Sequence, residues 1–295
     1  MNQFIVFFAL IISLSSCKNE TVESTEANEN SEKPIASNSD WGIINDSGDA
    51  VIDDFNSWWS YQSYQIDLFG NFNPLSADST RVRYPDFLKA IINDGLIPIK
   101  VEPINDFTTY RLYPVEGAAS EDVMTTIKNQ AKTALQFYDM EDTKFPEVDF
   151  TTLSGEQWND ESLKGKFVVY KTWFINCAPC IKEFPESNEF VEKYKGENVV
   201  FISLALDDEK SLKEFLKTKE LKYQTVADQE DLIVNKLKLN SFPTHILVKP
   251  DGDIYRVFPD IKKLTNFIKN KGGFKLPPPP PAPPSVPEPE SPVVG

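Results

Sequence analysis

The chain has 295 residues, enough for two domains of ordinary size, and a hydrophobic fraction of 40% that can fill buried cores. Its formal net charge of -15 repels phosphate backbones and anionic lipid, which argues against nucleic-acid binding. There is no glycine-rich phosphate loop and no internal repeat, and of the three cysteines, Cys17, Cys177 and Cys180, one is left over if the last two pair.

Residues 4–14 form an apolar run too short to span a bilayer comfortably. The run ends in Leu14-Ser15-Ser16-Cys17, which resembles the lipobox of bacterial lipoproteins. That resemblance implies that residues 1–16 are a signal peptide and that Cys17 carries the lipid; an ordinary secretory signal is the alternative. Either reading puts the protein outside the cytoplasm, where disulfides persist, and the lipobox reading places it in a bacterial cell envelope. Lys18 follows Cys17 in place of the Asp that usually marks inner-membrane retention in enterobacterial lipoproteins. An anchor facing the periplasm is the expectation, with the outer membrane or the cell surface as the other placement. Residues 17–40, rich in Glu, Asn and Ser, bury too little to order themselves and read as a disordered tether.

Residues 41–142 read as a small α/β domain. A strand is expected over residues 64–69. Pro85 opens a helix through Phe87, Leu88, Ile91 and Ile92, and Gly95 ends it. Residues 96–101 and 108–113 have strand character. Ser120 is placed to cap a helix whose Met124, Ile127, Ala131 and Ala134 share one face. The aromatic group Trp58, Trp59, Tyr61 and Tyr64 reads as core rather than as a binding surface.

Residues 143–275 read as a second α/β unit. Strands are expected over 166–173, 199–206, 223–226, 244–249 and 254–258, and helices over 179–195, 209–217, 231–238 and 261–271. On the first helix Ile181, Phe184, Asn188 and Val191 fall on one side, with Phe184 and Val191 as core contacts. Pro250-Asp251-Gly252-Asp253 is a turn between two antiparallel strands. The tail, residues 276–295, is proline-rich and reads as a disordered polyproline II spacer.

Cys177-Ala178-Pro179-Cys180 follows the first strand of this unit and opens its first helix. Two cysteines at that junction can exchange a disulfide for two thiols, and a helix N-terminus favours negative charge on the first sulfur. A thiol of pKa about 8.5 is only about 3% thiolate at pH 7, whereas one lowered to about 7 is half thiolate. Pro179 lacks an N–H and has its φ already set for a first helical turn.

The order of elements, the Cys-x-x-Cys at the first strand-to-helix turn and Phe242-Pro243-Thr244 before a strand together resemble the thioredoxin fold, a central mixed sheet flanked by helices. The TlpA/ResA branch of envelope thioredoxins is the nearer likeness, through residues 145–150, 163–166, 173–185 and 243–248 running into Asp251-Gly252. The resemblance covers about 130 residues, under half of the chain. It implies that Cys177 is the exposed attacking sulfur and Cys180 the more buried one that resolves the mixed disulfide. It implies a cis peptide at Pro243, which lets Phe242 offer backbone hydrogen bonds to a substrate, with Pro179 and Asn176 beside it. It also implies that Glu183, one helical turn after Cys180, takes a proton from that thiol; an exposed acid favoured by the helix dipole is the alternative.

Four residues depart from the branch. Asn176 stands where many relatives have Trp, Phe174-Ile175 replaces small residues, and Lys171 occupies the strand position where thioredoxin has a buried acid. His245, the one histidine, reads as a structural strand residue.

The function implied is a thiol-disulfide oxidoreductase, acting as a reductant. Its expected clients are disulfide-containing envelope proteins, an apocytochrome among them, with an upstream thiol as electron donor and the membrane reached through a lipid on Cys17. No cofactor beyond the redox-active Cys177–Cys180 pair and no metal is expected, since zinc would need two further ligands. The competing reading is a lipid-anchored interaction protein with a redox-inactive thioredoxin-like domain.

Overall fold

A computed structural model of the chain describes residues 55–114 and 121–275. The expected signal segment 1–16, Cys17, the tether 17–40, the helix cap Ser120 and the proline-rich tail 276–295 lie outside the described residues.

The first module begins with α1, Phe55–Gln65, which buries Trp58, Tyr61 and Gln62 at helical spacing. After β1 (Asn73–Leu75) comes α2 (Tyr84–Asp94), with Pro85 in its first turn and Phe87, Leu88 and Ile91 buried. Gly95 ends it in the left-handed region at φ 68°, which glycine adopts without a Cβ clash. Strands β2 (Leu96–Ile104) and β3 (Phe107–Pro114) form a hairpin through Asn105 and Asp106, both at positive φ, as a two-residue turn of primed type requires. β1 joins β3 in parallel, giving the sheet order β1-β3-β2. Helix α3 (Glu121–Met140) covers the module with Val123, Ile127, Ala131, Ala134 and Phe137.

Two expectations for this module are corrected. The strand over residues 64–69 is absent. Tyr64 lies in the last turn of α1, because Trp58 and Tyr61 repeat at helical rather than alternating spacing, and the chain then turns through Gly70. The aromatic group divides: Trp58 and Tyr61 are core, and the Tyr61 hydroxyl accepts from the Lys100 N–H at 2.7 Å, whereas Trp59 and Tyr64 are exposed.

The second module opens with a small hairpin that the sequence pattern does not announce, β4 (Asp149–Thr151) and β5 (Gln157–Asn159). One helical turn follows, α4 (Asp160–Leu163), capped reciprocally by Asn159 and Ser162. The main elements are then β6 (Phe167–Trp173), α5 (Ala178–Lys182), α6 (Phe184–Lys193), β7 (Val199–Ala205), α7 (Glu209–Phe215) and β8 (Gln224–Val226). A π-helical turn over Asp231–Lys236, β9 (Thr244–Val248), β10 (Ile254–Phe258) and α8 (Ile261–Lys271) complete it. The sheet order is β10-β9-β6-β7-β8, with β6, β7 and β8 parallel and β9 and β10 antiparallel to their neighbours. This is the expected mixed sheet of a thioredoxin-like fold.

Strand β6 is central and buried at all seven positions. Its two faces are different. Val168 and Tyr170 point into a core shared with Ile202, Leu204, Ile246 and, from α3 of the first module, Phe137. Phe167 and Val169 point to the other face, where Phe190 of α6 and Ile261, Leu264 and Ile268 of α8 cover the sheet. The helix expected over 179–195 is interrupted at Glu183. Pro185 has no N–H to continue the ladder, and α6 restarts with this proline in its first turn. Phe190 rather than Val191 takes the core place on α6.

The two modules share one core. α3 lies against β10, the Phe69 and Phe137 rings stand 5.6 Å apart, and Lys263 reaches Asp67 at 2.6 Å. Phe137→Ala is therefore expected to cost about 3–5 kcal/mol, visible as a lower midpoint of urea unfolding by tryptophan emission. Glu141 sits at the same junction, 3.6 Å from Arg256. Burial pushes its carboxyl up to about 7, with Arg256 only partly offsetting that. A raised acid is held protonated by the fold, so stability falls as pH rises from the ordinary carboxylate value to about 7. Glu141→Gln is expected to remove that decline, worth about 1–2 kcal/mol after solvent screening, in unfolding curves taken on either side of the window.

Candidate active site at a strand-to-helix turn

β6 ends at Trp173, and the chain leaves the sheet through Phe174, Ile175 and Asn176 before α5 begins. This short loop is tied at both ends. The Ile175 N–H donates to Asp207 Oδ2 at 2.8 Å, just after β7, and the Cys177 N–H donates to the Phe174 carbonyl at 3.1 Å. Cys177 is the N-cap of α5 and is disulfide-bonded to Cys180. Its Sγ accepts the Cys180 N–H at 3.3 Å, so a donor of the first helical turn points at this sulfur. That local donor, more than the dipole of so short a helix, favours charge on the sulfur.

Cys177 is 4% exposed and Cys180 fully buried. The expected order of exposure is present, but Cys177 is more enclosed than an exposed nucleophile, because Trp173, Phe184 and Leu212 pack beneath the pair. Asn176, Ala178 and Pro179, all three exposed, flank Cys177 at the surface. Beside Ile175 and Asn176 a shallow groove continues over Ile181, Pro185 and Phe215.

The Phe242–Pro243 peptide is cis, and Pro243 is buried directly before β9. Phe242 is half-buried, and its ring meets Phe174 edge-on at 5.4 Å. The two loops that flank the disulfide thus touch through aromatic rings. Thr172 and Thr244 are paired across β6 and β9. The Thr172 hydroxyl donates to the Thr244 carbonyl at 3.3 Å and accepts the Thr244 N–H at 3.2 Å.

Behind the disulfide lies a buried charged group. Lys171, on the same face of β6 as Trp173, is fully buried, and its Nζ donates to Glu183 Oε2 at 2.6 Å. His245, opposite Lys171 in the β6–β9 register and equally buried, places Nε2 3.0 Å from the same oxygen. Glu183 Oε1 accepts the Ile261 N–H at the start of α8, also at 3.0 Å. Burial disfavours the Glu183 carboxylate, but His245 and Lys171 outweigh it and hold the carboxyl below its usual range. Burial pulls Lys171 down, opposed by Glu183. Burial first, and the Lys171 charge next, push His245 down to about 4, so its ring is neutral at pH 7 and Nε2–H is the donor to the carboxylate.

This geometry corrects the role expected for Glu183. It stands one turn after Cys180, as the spacing implied, but both its oxygens are already engaged and its basicity is low. It is neither an exposed acid nor a free base for Cys180. Sequence reasoning marks Lys171 and His245 separately and misses their common partner; a lysine within an unbroken apolar strand is the available signal. It also misses Asp207, a carboxylate in a loop that carries no motif.

The arrangement defines a thioredoxin-like domain with a disulfide-forming cysteine pair at its first strand-to-helix turn. Residues 142–257 match the model of the AhpC/TSA family. The chain is 34% identical over 110 residues to the thiol-disulfide oxidoreductase ResA of a Bacillus cereus strain, covering 37% of this chain and 64% of that protein. It is 23% identical over 107 residues to the sporulation thiol-disulfide oxidoreductase A of Bacillus subtilis, covering 35% of this chain and 64% of that protein. The chain thus spans a little under two thirds of the length of these relatives. Among solved structures, the thioredoxin domain of a thiol-disulfide oxidoreductase from Bacteroides vulgatus shares 22% identity at a TM-score of 0.41, over 44% of this chain and 96% of that one. The expected likeness to the TlpA/ResA branch is borne out for this domain.

Asp207→Ala leaves the Ile175 N–H without its acceptor. The expected cost is about 1–2 kcal/mol, as for a charged acceptor lost from a half-buried bond, measured by urea unfolding of the oxidised protein.

Proposed function

We propose that this protein is a thiol-disulfide oxidoreductase that reduces protein disulfides through Cys177 and Cys180. The observation that carries the reading is the Cys177–Cys180 disulfide at the β6–α5 turn, beside the cis-Pro243 loop, with Cys177 the more accessible sulfur. In the reduced protein the Cys177 thiolate attacks one sulfur of a client disulfide. The client S–S bond breaks, a client thiolate leaves, and a mixed disulfide forms. Cys180 then gives up its proton and attacks Cys177 Sγ, which releases the second client sulfur as a thiolate. Two electrons have passed to the client, and the Cys180 proton goes to the departing sulfur or to water rather than staying on Glu183. An upstream dithiol donor must then reduce Cys177–Cys180. Phe242, Pro179 and Asn176 line the approach to the pair.

The lipobox-like Leu14-Ser15-Ser16-Cys17 supports a lipid-anchored protein of a bacterial cell envelope, and the resemblance to the TlpA/ResA branch implies clients there that carry oxidised cysteines, apocytochromes included. The reductive direction follows from the resemblance of residues 145–150, 163–166 and 173–185 to the TlpA/ResA branch. The function requires no cofactor besides the cysteine pair.

Insulin reduction by the protein, with dithiothreitol as electron source, tests the reading. Turnover above the dithiothreitol background is expected, Cys177→Ser is expected to abolish it, and Cys180→Ser is expected to accumulate a mixed disulfide visible on a non-reducing gel. Wild-type protein that does not accelerate reduction, or activity that survives Cys177→Ser, would defeat the assignment and leave a redox-inactive interaction protein as the better account.

A further inference from the structure

Lys171 is a cation placed where water cannot reach it, on the central strand, on the sheet face that underlies the cysteine pair. A buried charge needs a reason, since replacing an ion pair with apolar side chains is often neutral or stabilising. Its ion-pair partner is Glu183, and that carboxylate lies one helical turn after Cys180, a spacing that brings Cβ atoms to about 5–6 Å. An uncompensated carboxylate there would oppose every thiolate formed at the pair, through a medium with little screening.

We propose that Lys171 is a positioning residue that acts through Glu183: it cancels the negative field of that carboxylate at the Cys177–Cys180 sulfurs, so that the reduced pair can hold a thiolate. The proposal rests on the oxidoreductase reading and adds to it the residue that sets the reactivity of the pair. Glu183 cannot simply be dispensed with, because it ties three elements together: Lys171 of β6, His245 of β9 two residues after Pro243, and the Ile261 N–H at the start of α8. The carboxylate is the joint and the lysine is its counter-charge.

The other charged and titratable groups around the joint are few. His245 faces Glu183 from β9, Asp260 acts on His245 from the residue before α8, Glu186 of α6 feels Glu183, and Tyr223 lies within its field ahead of β8. Of these His245 matters most. Burial first and the Lys171 charge second hold its ring neutral, and removing that cation relaxes the second of these. The comparison of variants therefore belongs on the alkaline side of neutrality, where the ring stays neutral.

The test is the pH profile of iodoacetamide alkylation of Cys177 in the reduced full chain, followed by the mass of the peptide that carries it, so that Cys17 does not interfere. Lys171→Met leaves the carboxylate unbalanced and is expected to raise the Cys177 thiol pKa by about one unit, a tenfold loss of thiolate below that pKa. Glu183→Gln leaves the cation unbalanced and is expected to lower it by a similar amount. The Lys171→Met/Glu183→Gln double variant is expected to return close to the wild-type value. Loss of packing alone would move both single variants the same way, so shifts of the same sign, or no shift in either, would overturn the proposal. If Lys171→Met does not fold, the fall in Glu183→Gln and its reversal in the double variant decide the matter. Insulin reduction by the wild-type protein is scored separately: its failure defeats the oxidoreductase reading while the signs of the thiol shifts remain readable.

Discussion

The second module is organised by the burial of β6. A strand paired on both edges and covered on both faces has no solvent-exposed position, so any polar side chain on it must find its partner inside the protein. Lys171 is such a side chain, and its partner has to come from whatever covers that face. Glu183 supplies it from the break between α5 and α6, where the missing N–H of Pro185 lets the backbone turn and the carboxylate reach down to the sheet. The same carboxylate then fixes His245 and the first N–H of α8. One buried anion therefore sets the relative positions of the cysteine helix, the strand after the cis proline and the last helix.

The reactive end of the domain follows from that arrangement. The cysteine pair sits where β6 runs out of sheet, and three contacts hold the loop in place: Asp207 on the Ile175 N–H, the Phe174–Phe242 ring pair, and the Thr172–Thr244 bonds across the strands. Trp173, Phe184 and Leu212 enclose the pair from beneath, while Asn176 and Pro179 are exposed on either side of Cys177. On the proposed function, a client disulfide approaches over these loops, so their shape, more than the sheet, decides what can react. The first module joins this framework on the other face of the sheet from Lys171 and Trp173, through Phe137 and the Glu141–Arg256 contact.

Much of this was legible in the sequence. The Cys-x-x-Cys after an apolar strand and the proline before a later strand marked the site and the fold together, and Gly95 marked the end of α2 correctly. What the sequence concealed was of a different kind. The role of Glu183 depends on partners 12 and 62 residues away in the chain, which spacing on one helix cannot show. Residues 64–69 have strand character through Tyr64 and Ile66, but the contacts of Trp58 and Tyr61 hold Tyr64 in α1, and Ile66 falls just beyond its end. The β4–β5 hairpin is only three residues on each side, too short for an alternating pattern to emerge.

The central claim is that Cys177 and Cys180 form a reversible redox couple. Its most direct measurement is equilibration of the protein in thiol buffers of graded potential, with the fraction of bonded pair read by tryptophan emission, since Trp173 packs against the pair, and by thiol trapping. The account predicts one reversible two-electron transition, near the potential of thioredoxin, about -270 mV, for a reductant. A pair that stays bonded through strongly reducing buffers, or that opens without closing again when the buffer is reversed, would contradict it.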